Sequence, residues 1–123
     1  MARNTAEDIR IVIFEDDPDW QEMSQMMLQM LGVTVVAVVD NVLSATQDII
    51  PQLESWGVTH ALLDGNFSRR SDGSEGQLLA EQIRNQAPGV TIIGFSGGSQ
   101  SYVDIPMGKT NMTEKALKTA FQI

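Results

Sequence analysis

The chain contains no cysteine, so the sequence carries no redox signal. Its 123 residues predict one domain. A domain of this size buries enough apolar surface to fold without a disulfide or a structural metal. We therefore expect a single domain over residues 1–123, with residues 1–8 as an N-terminal tail.

Long apolar runs and an excess of positive charge are also missing. No run approaches the length of a membrane span, and the opening MARNTAEDIR lacks the apolar core of a signal peptide. Eight Lys and Arg face sixteen Asp and Glu, for a net charge of −8, whereas binding to phosphate backbones needs clustered cations. We expect a cytoplasmic protein with neither a nucleic-acid nor a membrane partner.

The hydrophobic pattern alternates between strand-like and helix-like segments. Apolar stretches without polar alternation, separated by helices, favour a parallel sheet that is covered on both faces. The strand-like stretches are residues 9–14, 33–39, 61–63, 90–95 and a weaker one within 102–107.

The helical segments carry their own signals. Asp17 and Pro18 predict the start of the first helix, since Asp caps free amides and Pro suits the first turn. Pro51 must kink or interrupt the second helix. Helical spacing predicts that the first helix has one face made of Trp20, Met23, Met27, Met30 and Leu31.

Chemically active residues follow the predicted strands. In open parallel sheets, sites form beyond the carboxyl ends of the strands. Glu15 and Asp16 follow the first strand and Asp64 follows the third. Ser96 follows the fourth strand and Lys109 the fifth. We expect these five side chains to meet at one edge of the sheet.

Such a set of residues has a coherent chemistry. Carboxylates bind hard divalent cations, and Mg²⁺ prefers oxygen ligands. A carboxylate beside the cation can attack phosphorus and form an aspartyl phosphate. The cation, an ammonium group and a hydroxyl can then neutralise the phosphoryl oxygens.

With these residues in this order, the chain resembles the receiver domains of two-component response regulators. The resemblance extends over nearly all of residues 9–122 and is carried by IVIFEDDP, ALLDGN, GQLLAEQIR, TIIGFSG and the final lysine with its helix. It implies a flavodoxin-like α/β fold, which is a doubly wound, five-stranded parallel sheet in the order 2-1-3-4-5 with five helices.

The resemblance also implies a role for each site residue. Asp64 would be the phosphoacceptor. Mg²⁺ would be bound by Asp16, by Asp64, by the backbone carbonyl of Asn66 and, through water, by Glu15. Ser96 and Lys109 would contact the phosphoryl group. The partners would be a histidine kinase or phosphotransfer protein and a downstream protein target. Catalysis would be limited at most to self-phosphorylation from a phosphodonor and autodephosphorylation.

One stretch departs strongly from the family. Ser96 and Lys109 are only 13 positions apart (109 − 96), while a parallel crossover usually takes a dozen residues or more. We therefore expect the fourth helix to be short or absent. An apolar surface near strands 4 and 5 would then lack its cover, which predicts a homodimer or another partner there. Pro106 stands where the family usually has an aromatic switch residue.

Other interpretations remain open at the level of sequence. The chain can be a receiver-like interaction module that no longer switches, or, less favourably, a metal-dependent phosphatase. Taken alone, Glu15 and Asp16 can be solvated turn residues, and Lys109 can be an exposed cation. His60 is isolated in the sequence, which favours a structural over a catalytic role.

Overall fold

A computed structural model describes residues 5–64, 74–95, 102–108 and 113–123. Its centre is a sheet of five strands, all parallel, in the order β2-β1-β3-β4-β5. The fold class and strand order predicted from the sequence are confirmed. Asn66, Ser96 and Lys109 lie outside the described residues, so their predicted roles stay predictions.

The central strands are buried because helices cover both faces of the sheet. Every residue of β3 is buried, as are the last four of β1. This explains why these segments show no polar alternation in the sequence. The strands are β1 Arg10–Phe14, β2 Thr34–Val39, β3 His60–Asp64, β4 Thr91–Phe95 and β5 Ile105–Met107.

The first helix, α1 (Pro18–Met30), begins where the sequence predicts. The carboxylate of Asp17 accepts a hydrogen bond from the Asp19 amide at 2.9 Å, and Pro18 is the first helical residue. The predicted apolar face is wrong in part. Met23 and Met30 are exposed, whereas Ser24 and Leu28 are buried.

The segment after β2 is helical but changes its hydrogen-bond pattern along its length. Helix α2 (Val42–Ser44) is capped by the Asn41 side chain, and it continues into a π turn (Ala45–Ile49) and a 3₁₀ turn (Ile50–Gln52). Pro51 lies in the 3₁₀ turn. The predicted interruption at this proline is confirmed, because proline cannot donate the backbone hydrogen bond of a regular helix.

Two hydrophobic clusters lie on the two faces of the sheet. Helix α3 (Ser74–Gln86) and the segment after β2 pack on one face, with Leu53, Leu79 and Ile83 in the core. Helices α1 and α4 (Glu114–Phe121) pack on the other face, with Leu28, Leu117 and Phe121 buried. Among the described residues, no helix combines the length and apolar character needed to cross a membrane.

The connection between β4 and β5 is short. Its described part, residues 102–104, contains turn and bend conformations and no helix. The described residues form four α-helices where the resemblance implies five, in agreement with the predicted short or absent fourth helix. Strand β5 is the outermost strand of the sheet and pairs on one side with β4.

Candidate functional site

The register of the sheet brings the ends of β1 and β3 to the same level. Phe14 pairs with Leu63 in adjacent parallel strands, so the residues that follow each of them emerge together. Those residues are Glu15 and Asp64, with Asp16 next along the chain. The structure therefore brings these three predicted acids together at one edge.

The backbone of Glu15 is fixed by both neighbouring elements. Its amide donates to the carbonyl of Val39 at the end of β2, at 2.9 Å. Its carbonyl accepts from the side-chain amide of Gln21 on α1, at 2.6 Å. One carboxylate oxygen of Glu15 accepts a hydrogen bond from the Asp17 amide at 3.3 Å. The turn that carries the acids is thus held between β2 and α1.

The three carboxylates form a compact and largely buried group. One oxygen from each of Glu15, Asp16 and Asp64 lies within 4.8 Å of the others. Glu15 is 0% exposed and Asp64 is 2% exposed, while Asp16 is half-buried. The burial of Glu15 shows that the interpretation of Glu15 and Asp16 as solvated turn residues is wrong for Glu15.

This donor set fits a hard divalent cation. At about 4 Å and an effective dielectric constant of about 20, each pair of carboxylates repels by about 4 kcal/mol. A divalent cation between the three carboxylates would add attractive interactions that outweigh this repulsion. Among the described residues the cluster offers three carboxylates and no nitrogen or sulfur ligand, and such an all-oxygen set suits Mg²⁺ better than softer metals.

Asp17 plays a different part from its acidic neighbours. It caps α1 through the Asp19 amide, as the sequence predicts, and is not one of the three clustered carboxylates. The run of acids after β1 is therefore divided between a candidate cation site and a helix cap.

Two residues that interact with the acids were not predicted from the sequence. Gln21 lies one helical turn into α1, and nothing in the sequence distinguishes it from the other glutamines of that helix. Tyr102 follows β4 and is half-buried. Burial raises the pKa of Tyr102, and the negative charge of Asp64 raises it further. The chain has one tyrosine, and that rarity is the signal that points to it.

His60 lies at the opposite end of β3 from the acids. Its Nδ1 lies 2.8 Å from the hydroxyl oxygen of Thr59. Its ring meets the ring of Phe121 edge to face, with the centroids 5.0 Å apart. The ring contact packs β3 against α4, and such contacts are expected of a histidine with a structural role.

Comparison with known proteins yields similarity in structure but not in sequence. No family model and no curated protein sequence matches the chain. The receiver domain of a sensor histidine kinase from Pseudomonas aeruginosa PAO1 matches with a TM-score of 0.74 and 20% identity, over 93% of this chain and 94% of that one. That structure has a magnesium ion coordinated in its active-site cleft.

Two further solved structures give the same result. A CheY-like response regulator receiver domain protein from Methanospirillum hungatei JF-1 matches with a TM-score of 0.70 and 19% identity, over 91% of this chain and 89% of that one. The signal receiver domain of a modulated diguanylate cyclase from Desulfovibrio desulfuricans G20 matches with a TM-score of 0.71 and 17% identity, over 90% and 88% of the two chains. The chain has the receiver fold. The acid cluster lies at the carboxyl edge of that fold, where ligands bind in open parallel sheets.

Proposed function

We propose that the chain is a phosphoacceptor receiver domain of a response regulator, with Asp64 as the phosphoacceptor. One observation supports this proposal above all. Asp64 lies at the end of a buried strand of a receiver fold and forms a cluster of carboxylates with Glu15 and Asp16. A phosphoryl acceptor needs an ionised oxygen held beside a source of positive charge.

The transfer step is a displacement at phosphorus. A carboxylate oxygen of Asp64 forms a bond to phosphorus while the bond between phosphorus and the imidazole nitrogen of the phosphodonor breaks. The electron pair of that bond leaves with the imidazole of a histidine kinase or phosphotransfer protein. Water later attacks the same phosphorus atom while the bond between phosphorus and the Asp64 oxygen breaks, which restores the carboxylate and releases inorganic phosphate and a proton.

The acids of the cluster would bind the cation in two different ways. Asp16 and Asp64 would be direct ligands of Mg²⁺, with the backbone carbonyl of Asn66, and Glu15 would act through water. When bound, Mg²⁺ supplies positive charge that offsets the charge developing on the phosphoryl oxygens. Ser96 and Lys109 would add a hydroxyl and an ammonium group to the same oxygens.

Mass spectrometry tests the acceptor directly. With Mg²⁺ and acetyl phosphate, the wild-type chain should gain the mass of one phosphoryl group, and Asp64→Asn should not. Asp48→Asn is the matched control, because Asp48 is an exposed carboxylate in the segment after β2, away from the cluster. An unmodified wild-type chain would refute the proposal.

The phosphodonor would dock beside α1. Three methionines of this helix, Met23, Met26 and Met30, are exposed, and methionine adapts to varied partner surfaces. Phosphorylation would then alter a surface that binds a downstream protein. If the partner binds equally well to wild type, phosphorylated wild type and Asp64→Ala, the chain is a receiver-like interaction module that does not switch.

We also propose a homodimer through the region without a fourth helix. A groove of about 660 Å³ lies at this edge of the sheet, on the face covered by α1 and α4; apolar residues such as Ile105, Met107 and Ala116 line it together with polar ones such as Thr119 and Gln122. Among the described lining residues, Lys115 is the one charged side chain. Two copies of a chain with net charge −8 can therefore meet here without bringing carboxylates together. Sedimentation equilibrium should show a dimer, and a strict monomer at high concentration would refute it.

A further inference from the structure

Four of the seven methionines of the chain lie close together on α1. They are Met23, Met26, Met27 and Met30, at positions i, i+3, i+4 and i+7. Residues three and four apart are neighbours on a helix surface, with Cβ atoms about 5–6 Å apart. Because helical side chains lean towards the N-terminus, Met30 extends over the turn of Met26, and Met26 over the turn of Met23. The four side chains therefore form one group, which we call the thioether patch.

Most of the thioether patch is not part of the hydrophobic core. Met23 is 38% exposed, Met26 is 57% exposed and Met30 is 75% exposed. Met27 is half-buried and packs against the core cluster under α1. Packing against the sheet therefore accounts for Met27, but it leaves the other three side chains accessible to a ligand.

The chemistry of the thioether patch suits a soft metal ion. Thioether sulfur is a soft ligand that selects Cu(I), whereas Mg²⁺ prefers oxygen. The chain has no cysteine to supply a thiolate, and its one histidine, His60, is buried. Among the described residues, Met107 is also buried. The exposed soft ligands of the described part of the chain are therefore those of the patch.

The charges of α1 favour a cation at the thioether patch. The helix carries Asp19 and Glu22 and has no Lys or Arg. Each of these acids is exposed and lies four residues, or about one turn, before a methionine of the patch. Met27 and Met30 lie in the last turn, at the negative end of the helix dipole, where α1 has no basic side chain. A cation bound here would be attracted both by the acids and by the dipole.

We propose that the thioether patch binds one soft monovalent cation, Cu(I), through the sulfur atoms of Met23, Met26 and Met30. Three neutral thioethers leave the ion its single positive charge, which the neighbouring carboxylates offset. The site is separate from the acid cluster. The cluster precedes the first residue of α1, whereas Met26 and Met30 lie in the second half of a helix about 20 Å long. Binding of the ion does not require phosphorylation of Asp64, so it does not rest on the proposed function.

The first measurement is a titration with Ag(I), a soft monovalent ion that does not change its redox state. The protein carries ¹³C-labelled methionine methyl groups, and the buffer contains no chloride. The methyl signals of Met23, Met26 and Met30 should shift and saturate at one ion per chain. The methyl signal of Met107, which is buried in the core, should not shift. A titration that does not saturate, or equal shifts at Met107, would overturn the proposal.

The second measurement removes single sulfur atoms. Met26→Leu and Met30→Leu keep the size and the helix propensity of the side chain. Each should weaken Ag(I) binding by more than about tenfold, because even the outer-shell partners of a metal usually contribute that much. Met107→Leu is the matched control and should bind Ag(I) as tightly as wild type. If Met26→Leu and Met30→Leu also bind as tightly as wild type, the patch is not the site.

The third measurement tests the identity of the ion. Cu(I), supplied as its acetonitrile complex without oxygen, should shift the same methyl signals as Ag(I), and Mg²⁺ should not. A protein that binds Ag(I) but not Cu(I) would show that the assignment to Cu(I) is wrong. Asp64→Asn should bind Ag(I) as wild type does. A chain that takes up no phosphoryl group but binds the ion would therefore refute the proposed function and leave this site intact.

Discussion

At the scale of single residues, Ser24 is the least expected member of the core. It is 1% exposed on α1, and among the described residues its hydroxyl has no hydrogen-bond partner. A buried hydroxyl without a partner costs about 1–3 kcal/mol of stability. Alanine keeps the same backbone and has a higher helix propensity than serine.

Ser24→Ala should therefore raise the free energy of unfolding by about 1 kcal/mol. Urea denaturation measures the change. Ser55→Ala is the control, because the Ser55 hydroxyl is exposed and donates to the Gln52 carbonyl at 3.0 Å. A Ser24→Ala variant that is less stable than wild type would show that the hydroxyl has a partner that stabilises the fold.

His60 makes the stability of the folded protein depend on pH. Burial lowers the pKa of His60 below its ordinary value of 6.5. The folded protein keeps the ring neutral to a lower pH than the unfolded chain does. As the pH falls below about 6.5, the unfolded chain takes up a proton first, so stability is lost.

His60→Gln should remove this contribution. The free energy of unfolding of wild type should fall below about pH 6.5 more steeply than that of the variant, by at most about 1.4 kcal/mol per pH unit. Chemical denaturation at a series of pH values measures both slopes. Parallel curves for the two proteins would contradict the assignment.

At the scale of elements, contacts of Asp104 with Arg84 on α3 and with Ile92 on β4 stabilise the connection between β4 and β5, whose described part contains no helix. The ion pair between Arg84 and Asp104 is partly exposed, so by itself it contributes about 0–1 kcal/mol. The hydrogen bond from the Ile92 amide to Asp104 is part-buried, and its loss leaves a backbone donor without its partner. The carboxylate therefore matters more to the fold than the guanidinium.

Asp104→Ala should lower the free energy of unfolding by about 1–3 kcal/mol. Arg84→Ala should lower it by about 1 kcal/mol or less. Asp104→Asn is the matched variant, because its amide oxygen can still accept from Ile92, and it should lose less than Asp104→Ala. Equal losses for the three variants would show that the ion pair, not the backbone hydrogen bond, holds the connection.

The elements also show where prediction from sequence succeeds. The strands and the start of α1 follow from apolar runs and from the Asp17 cap, which are local signals. The buried face of α1 cannot be predicted in this way. Four of the seven methionines in the chain lie in this helix, and methionine suits either the core or the surface. In the fold, tertiary packing buries Ser24 and Leu28. The contacts of Asp104 with Arg84 and Ile92 pair residues far apart in the sequence, and no local pattern predicts them.

At the scale of the whole molecule, the proposed cation site would link metal binding to stability. Without a cation, the three carboxylates repel each other inside the fold, and a bound cation stabilises the folded state by mass action. The sequence predicted which acids meet, because strand ends in a parallel sheet share an edge. It did not predict how deeply each acid is buried, which depends on the packing of β2 and α1 around the turn.

Asp16→Asn should make the metal-free protein more stable by about 1 kcal/mol or more, because it removes one of the repelling charges. The same substitution should abolish the rise in melting temperature that Mg²⁺ gives to wild type. Thermal unfolding with MgCl₂ and with NaCl at equal ionic strength separates binding from screening. A variant that is destabilised and still responds to Mg²⁺ would contradict the cation site.

The most direct test of the central claim, that Asp64 accepts a phosphoryl group beside Mg²⁺, is a titration with Mg²⁺ and beryllofluoride read at every backbone amide by NMR. Wild type should show saturable shifts that begin at Glu15, Asp16 and Asp64 and extend to one surface of the fold. Asp64→Asn should show none of the shifts that depend on beryllofluoride. A wild-type spectrum that does not respond, or a variant that responds equally, would contradict the account.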